Sequence, residues 1–123
     1  MPSSPDKSGN YQKGHKFEQQ AANYFQEQGY KILESNWRAG RNEIDLIVQK
    51  DKLIIFVEVK SASSTKYGHP SERVDQNKIK AITKVARQYL IDKKLENVDL
   101  RFDVVTFLNG KLEHYPNAFE AAD

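Results

Sequence analysis

Two acids and a lysine, Asp45, Glu58 and Lys60, interrupt the run NEIDLIVQKDKLIIFVEVK, which is otherwise rich in Ile, Val, Leu and Phe. Carboxylates are costly to bury unless they are paired or bind a cation. Two acids kept in such surroundings, with a lysine two residues beyond one of them, match the needs of phosphodiester hydrolysis at a metal. The carboxylates would hold a hard divalent ion, and the ammonium would orient or deprotonate the attacking water or meet charge on the phosphate.

The elements that must position these groups are two strands, Glu43 to Val48 and Leu53 to Lys60, joined by a polar stretch, Gln49-Lys50-Asp51-Lys52, short enough only for a hairpin. With a two-residue loop, odd positions of the first strand share a face with even positions of the second. Glu43 and Asp45 then stand beside Glu58 and Lys60, while Ile44, Leu46, Val48, Leu53, Ile55, Val57 and Val59 make the other face wholly apolar. Adjacent like charges destabilise a sheet, so a bare Asp45 and Glu58 would repel and one would keep its proton. A divalent cation resolves the conflict. Hard oxygen ligands suit Mg²⁺, with Mn²⁺ as substitute, and the Val59 carbonyl is a candidate third ligand. The plainer reading makes the three charged residues strand ends on a solvated face, with Lys60 neutralising its neighbours.

Glu18 adds a fourth candidate. Apolar residues recur at helical spacing from Gly14 to Gln28 (Phe17, Ala21, Ala22, Tyr24, Phe25), and Gly29 stands where a left-handed cap is expected. Glu18 lies three, four and seven positions before Ala21, Ala22 and Phe25, on or beside the face this helix buries. A carboxylate there needs the metal or Lys60 as partner, or else reaches solvent as a boundary residue.

The remaining elements are a strand over Tyr30 to Arg38, a helix over Val74 to Leu90 with an apolar stripe from Ile79 to Leu90, a strand over Arg101 to Leu108, and a short edge strand over Lys111 to Tyr115. Asn109-Gly110 is the hairpin signal that joins the last two. A polar segment, Ser61 to Ser71, reads as an exposed loop following the acidic strand. Residues 1–12 read as a flexible tail, 13–116 as one domain and 117–123 as a C-terminal tail. A length of 123 residues suits one core. The absence of cysteine excludes disulfide scaffolds, thiolate zinc sites and cysteine nucleophiles. With no apolar run long enough to span a bilayer and no signal-peptide pattern, a soluble, cytoplasmic protein is expected, with no membrane partner.

A net charge of +2 is too mild to indicate nucleic-acid binding by itself, so its distribution matters. Between Arg73 and Lys94 stand Arg73, Lys78, Lys80, Lys84, Arg87, Lys93 and Lys94 against only Asp75 and Asp92. Lys80, Lys84, Arg87 and Lys94 form a stripe suited to backbone phosphates, although most such stripes are solvated helix faces. Arg38, Arg41, Lys66 and His69 add positive charge around the acidic strands. Trp37 is a candidate for base stacking, against the commoner fate of a lone Trp in the core. His15 is a further candidate for phosphate contact, and His114 has no expected role.

In their order along the chain, GHKFEQQAANYF, GYKILESNWR, NEIDLI, FVEVKSASS, YGHPSERV, KIKAITKVARQYL and RFDVVTF resemble the PD-(D/E)XK nuclease superfamily, in particular archaeal Holliday-junction resolvases. More specifically, the chain resembles the bacterial YraN family of endonuclease-like proteins. The resemblance covers about Gly14 to Phe107. It implies an α/β fold with a restriction-endonuclease-like mixed five-stranded sheet flanked by helices, in the order α-β-β-β-α-β-β. It also implies Mg²⁺-dependent hydrolysis of DNA phosphodiester bonds, with Glu18, Asp45, Glu58 and Lys60 as the catalytic set, and a homodimer acting on branched DNA in recombination or repair. Asn42 stands where the family usually has Gly, and Ala62 where it often has Arg. The competing expectations are a DNA-binding module that keeps the nuclease fold without cutting, and an interaction protein that pairs through its sheet edge.

Overall fold

The computed structural model describes residues 8–64 and 75–122, with side chains described from residue 15 onward. Its elements are α1 (Ser8–Glu27), β1 (Lys31–Ala39), β2 (Asn42–Lys50), β3 (Leu53–Ala62), α2 (Gln76–Asp92), β4 (Asp99–Leu108) and β5 (Lys111–Tyr115). The five strands form one open sheet in the order β1-β2-β3-β4-β5. Three pairs are antiparallel neighbours along the chain; β3 and β4 run parallel, with α2 in the connection between them. This is a mixed α/β architecture. Among the described residues no helix is long and apolar enough to cross a membrane.

Local chemistry sets the ends of these elements. The α1 helix begins at Ser8, within the segment expected as a tail, and closes as its cap glycine requires. Gly29 takes φ +93° and the Tyr30 amide bonds back to the Phe25 carbonyl at 3.0 Å, a Schellman closure. At the start of α2, Asp75 Oδ1 accepts the Lys78 amide at 2.9 Å, an N-cap worth about 1 kcal/mol. Asn109 and Gly110 both have positive φ, 54° and 80°, which the tight β4–β5 turn demands.

Both faces of the sheet are covered. Ala21, Ala22 and Phe25 of α1 pack on Leu46, Val48, Ile55, Val57, Val105 and Phe107. Ile82, Val85, Ala86 and Tyr89 of α2 pack on Ile44, Ile47, Ile54, Phe56 and Phe102. Two expectations are corrected here. The face shared with the acids is no solvated surface, because Ile47, Ile54 and Phe56 occupy it beneath α2, as happens when a central sheet is sandwiched between helices. Ile44 also leaves the company of Leu46 and joins this second cluster. The register gives the reason. β1 pairs Ser35 with Leu46 and Trp37 with Ile44, and Asn36 between them turns left-handed at φ 53°, so the alternation of faces breaks opposite Asp45.

The chain after β5 also packs. The Ala118 amide bonds the Phe102 carbonyl at 2.8 Å, Phe119 stacks on Phe102 at 5.2 Å, and the Ala122 amide reaches Thr83 Oγ1 at 3.0 Å. Residues 118–122 are thereby tied to β4 and to α2.

Candidate functional site

Asp45 sits at a fork. The β2–β3 ladder ends at the pair Leu46 and Val57, so beyond it the strands no longer exchange backbone bonds. Across the gap Asp45 Oδ2 accepts the Val59 amide at 2.7 Å. The same side chain hydrogen-bonds Glu58, and its electrostatic neighbours are Glu58 and Glu18, all acids. Burial first, then the Glu58 charge, push the Asp45 carboxyl up to about 8, against the lowering effect of the Val59 amide. At neutral pH Asp45 therefore keeps its proton, beside the Glu58 carboxyl.

Glu58 is almost fully enclosed, with a side chain 4% exposed. Its Oε2 lies 3.3 Å from Lys60 Nζ and 3.1 Å from Lys78 Nζ. Its Oε1 is buried without a hydrogen-bond partner among the described residues. The structure thus brings Asp45, Val59, Glu58 and Lys60 together and adds Lys78. Expected among the positive charges that meet nucleic acid, Lys78 turns its ammonium onto Glu58 from the first turn of α2.

Glu18 stands further back. It is half-buried on α1 and its charge reaches Asp45. Yet among the described residues no three His, Cys, Asp or Glu side chains form a group able to hold a metal. Of the expected ligands, Asp45, Glu58 and Val59 lie together, while Glu18 reaches Asp45 through its charge. Glu43 leaves the acidic group, held by Arg38 at 2.9 Å.

A hard divalent ion suits what remains. A cation would replace the proton that Asp45 keeps, and the buried Glu58 Oε1 has no hydrogen-bond partner among the described residues. Asp45, Glu58 and the Val59 carbonyl are the residues that would hold it.

The outer charges divide. Arg41, Lys80, Lys84 and Arg87 are exposed, the last three on α2, and Arg38 is exposed beside its Glu43 partner. Lys93 lies 3.6 Å from Glu34 and over the Tyr89 ring, and Lys94 has left the helix in a left-handed conformation. Lys66, His69 and Arg73 lie outside the described residues. Trp37 meets Tyr89 edge-on at 5.0 Å within the α2 core, so its ring belongs to packing.

One buried acid escaped the sequence reading. Asp103 is fully enclosed and bonds Arg101 twice, at 2.8 and 2.9 Å, His114 Nε2 at 2.7 Å and the Asn117 amide at 2.9 Å. Tyr24 OH completes the chain at 2.9 Å from His114 Nδ1. Burial alone would raise the Asp103 carboxyl, but these bonds hold it below the ordinary carboxylate value. The signal was present: Asp103 interrupts the apolar run RFDVVTF much as Asp45 interrupts NEIDLI. Their surroundings set them apart. Asp103 is met by donors on every side and is structural, whereas Asp45 faces other acids.

The sequence was compared with known families and proteins. The model of the uncharacterised protein family UPF0102 matches residues 17–107. The chain belongs to this family, also called YraN. A UPF0102 protein of Clostridioides difficile is 45% identical over 112 residues, covering 89% of this chain and 98% of that protein. One of Persephonella marina is 39% identical over 108 residues, covering 88% and 93%. The UPF0102 match runs from Phe17, beside Glu18, to Phe107 in β4, and so takes in Asp45, Glu58, Lys60, Lys78 and Asp103.

Proposed function

We propose that this UPF0102 chain is a metal-dependent DNA endonuclease of the PD-(D/E)XK type, with a restriction-endonuclease-like sheet and its centre at Asp45, Glu58 and Lys60. One observation supports the reading above the rest. A half-buried Asp45 is held in its protonated form against a fully buried Glu58, whose Oε1 has no hydrogen-bond partner among the described residues, a poor arrangement for stability and a good one for a divalent cation.

In this reading Asp45 gives up its proton, and Asp45, Glu58 and the Val59 carbonyl would hold Mg²⁺ or Mn²⁺. The bound ion supplies Lewis-acid polarisation of the phosphate and a water of lowered pKa. Lys60, two residues along β3 and paired with Glu58 at 3.3 Å, would orient the attacking water and, once its ammonium has given up a proton, accept one from that water. Lys78, once freed from Glu58, would meet the phosphate charge. Glu18 adds negative potential behind the pair, and Lys80, Lys84 and Arg87 engage backbone phosphates along α2. The same reading extends to branched or otherwise structured DNA as substrate, a homodimer as the acting form, and the cytoplasm as the place of action.

A second reading draws on the two lysines. Lys60 and Lys78 already neutralise Glu58 without a metal, which suits a DNA-binding module that keeps the fold and does not cut. Purified protein incubated with branched, single-stranded and duplex DNA in Mg²⁺ or Mn²⁺ separates the two, alongside Asp45→Asn and Lys60→Ala. The endonuclease reading expects cleavage that both substitutions abolish. Salt-sensitive binding without cleavage, unchanged in both variants, supports the module instead.

A further inference from the structure

Two buried side-chain atoms have no hydrogen-bond partner among the described residues, Glu58 Oε1 and Thr106 Oγ1. They are neighbours. In the parallel β3–β4 register Glu58 stands opposite Val104 and Lys60 opposite Thr106, so all four side chains share one face of the sheet. Thr106 is thus directly beside Lys60 and diagonal to Glu58. Diagonal neighbours lie about 7–8 Å apart along the sheet, within reach of a side chain as long as glutamate, whose carboxylate can then share a water with the Thr106 hydroxyl.

Burial of the hydroxyl is complete, since Thr106 is 0% exposed and Glu58 only 3%. Buried polar atoms in folded proteins are paired with protein, water or ion, so two adjacent orphans imply a partner held in common. Thr83 shows how the same chain treats a buried threonine that has only structural work. Its hydroxyl donates to the Ile79 carbonyl at 2.7 Å and accepts the Ala122 amide at 3.0 Å. Thr106 has no such outlet, and valine would fill a similar volume on a β-strand without a polar atom to satisfy.

We propose that Thr106 is a positioning residue of the metal site: its hydroxyl binds a water shared with Glu58 Oε1 and fixes that carboxylate in the orientation that takes a divalent cation. The proposal rests on the metal-site reading above. Groups that orient a metal ligand in this way are commonly worth about 10–100-fold in metal affinity.

The test is Mn²⁺ titration of the full chain by calorimetry, comparing wild type, Thr106→Val, Thr106→Ser and Asp45→Asn, with metal-free melting curves for each. The expected result is Mn²⁺ affinity at least about 10-fold weaker in Thr106→Val, recovery in Thr106→Ser, and a metal-free melting temperature for Thr106→Val at or above that of wild type. A purely structural threonine would shift the melting temperature and leave the affinity alone. Should Thr106→Val not fold, Thr106→Ala carries the same comparison. Wild-type affinity in Thr106→Val, with binding lost in Asp45→Asn, overturns the role of Thr106 and leaves the metal site standing. No Mn²⁺ binding by wild type overturns both.

Discussion

Asp45 Oδ2 accepts the Val59 amide at 2.7 Å, so a side chain does across the open β2–β3 fork what a backbone carbonyl does along the rest of the ladder. The bond anchors one oxygen of Asp45 on β3 and leaves the carboxyl group against Glu58. Structural fixation and electrostatic conflict therefore meet in one residue.

Stability should fall as pH rises through the range that Asp45 controls. Its folded pKa, about 8, lies above the ordinary value of 3.8, so the folded state binds the extra proton between them. The stabilising contribution is fully present below about 3.8 and is lost as pH rises through about 8. Metal-free wild type should melt at a lower temperature at pH 9 than at pH 6, and Asp45→Asn should flatten that slope. An equally steep slope in the variant would assign it to other groups.

A divalent ion should reverse the same trend. Because it replaces the proton on Asp45, Mn²⁺ should raise the melting temperature more at pH 8.5 than at pH 6, and a chelator should remove the gain. Stabilisation that is independent of pH would place the ion elsewhere.

Lys78→Ala should weaken both the fold and the proposed chemistry. Glu58 would keep Lys60 alone, at a cost of about 1–3 kcal/mol. That is less than for a fully enclosed pair, because the Lys78 side chain is 38% exposed. Denaturant unfolding measures the first effect and cleavage rate the second. A variant as stable as wild type would mean that the 3.1 Å contact contributes little.

Asp103→Asn should separate structure from site. Removing a fully buried charge that Arg101 and His114 meet leaves both donors short of a partner, for a loss of about 3–5 kcal/mol. Mn²⁺ affinity should not change. The Asp103 carboxyl sits below its ordinary value, so its contribution is present above 3.8 and is lost as pH falls through the folded value. Wild type should therefore lose, on acidification below pH 4, a stabilisation that the variant never had.

The meeting of Asp45, Glu58 and Lys60 was legible in the sequence because strand parity is arithmetic: a register pairing Leu46 with Val57 and Val48 with Ile55 sets odd positions of β2 beside even positions of β3. The switch of Ile44 to the α2 side was not, since it depends on Asn36 adopting a left-handed conformation that many Asn residues never take. The contact of Lys78 with Glu58 was not legible for a related reason. Helical periodicity tells which residues share a stripe, but the angle at which α2 crosses the sheet decides that its first turn lies against Glu58. Asp103 shows the limit most clearly. An acid in an apolar strand reads alike whether donors or acids surround it, and its donors His114 and Asn117 come from beyond the next turn.

The most direct measurement of the central claim is a crystal of the protein soaked in Mn²⁺ and recorded at a wavelength where manganese scatters anomalously. The account predicts one peak bonded to carboxylate oxygens of both Asp45 and Glu58, with Lys78 displaced from Glu58. Well-ordered Asp45 and Glu58 side chains with no peak between them, and both lysines still on Glu58, would contradict it.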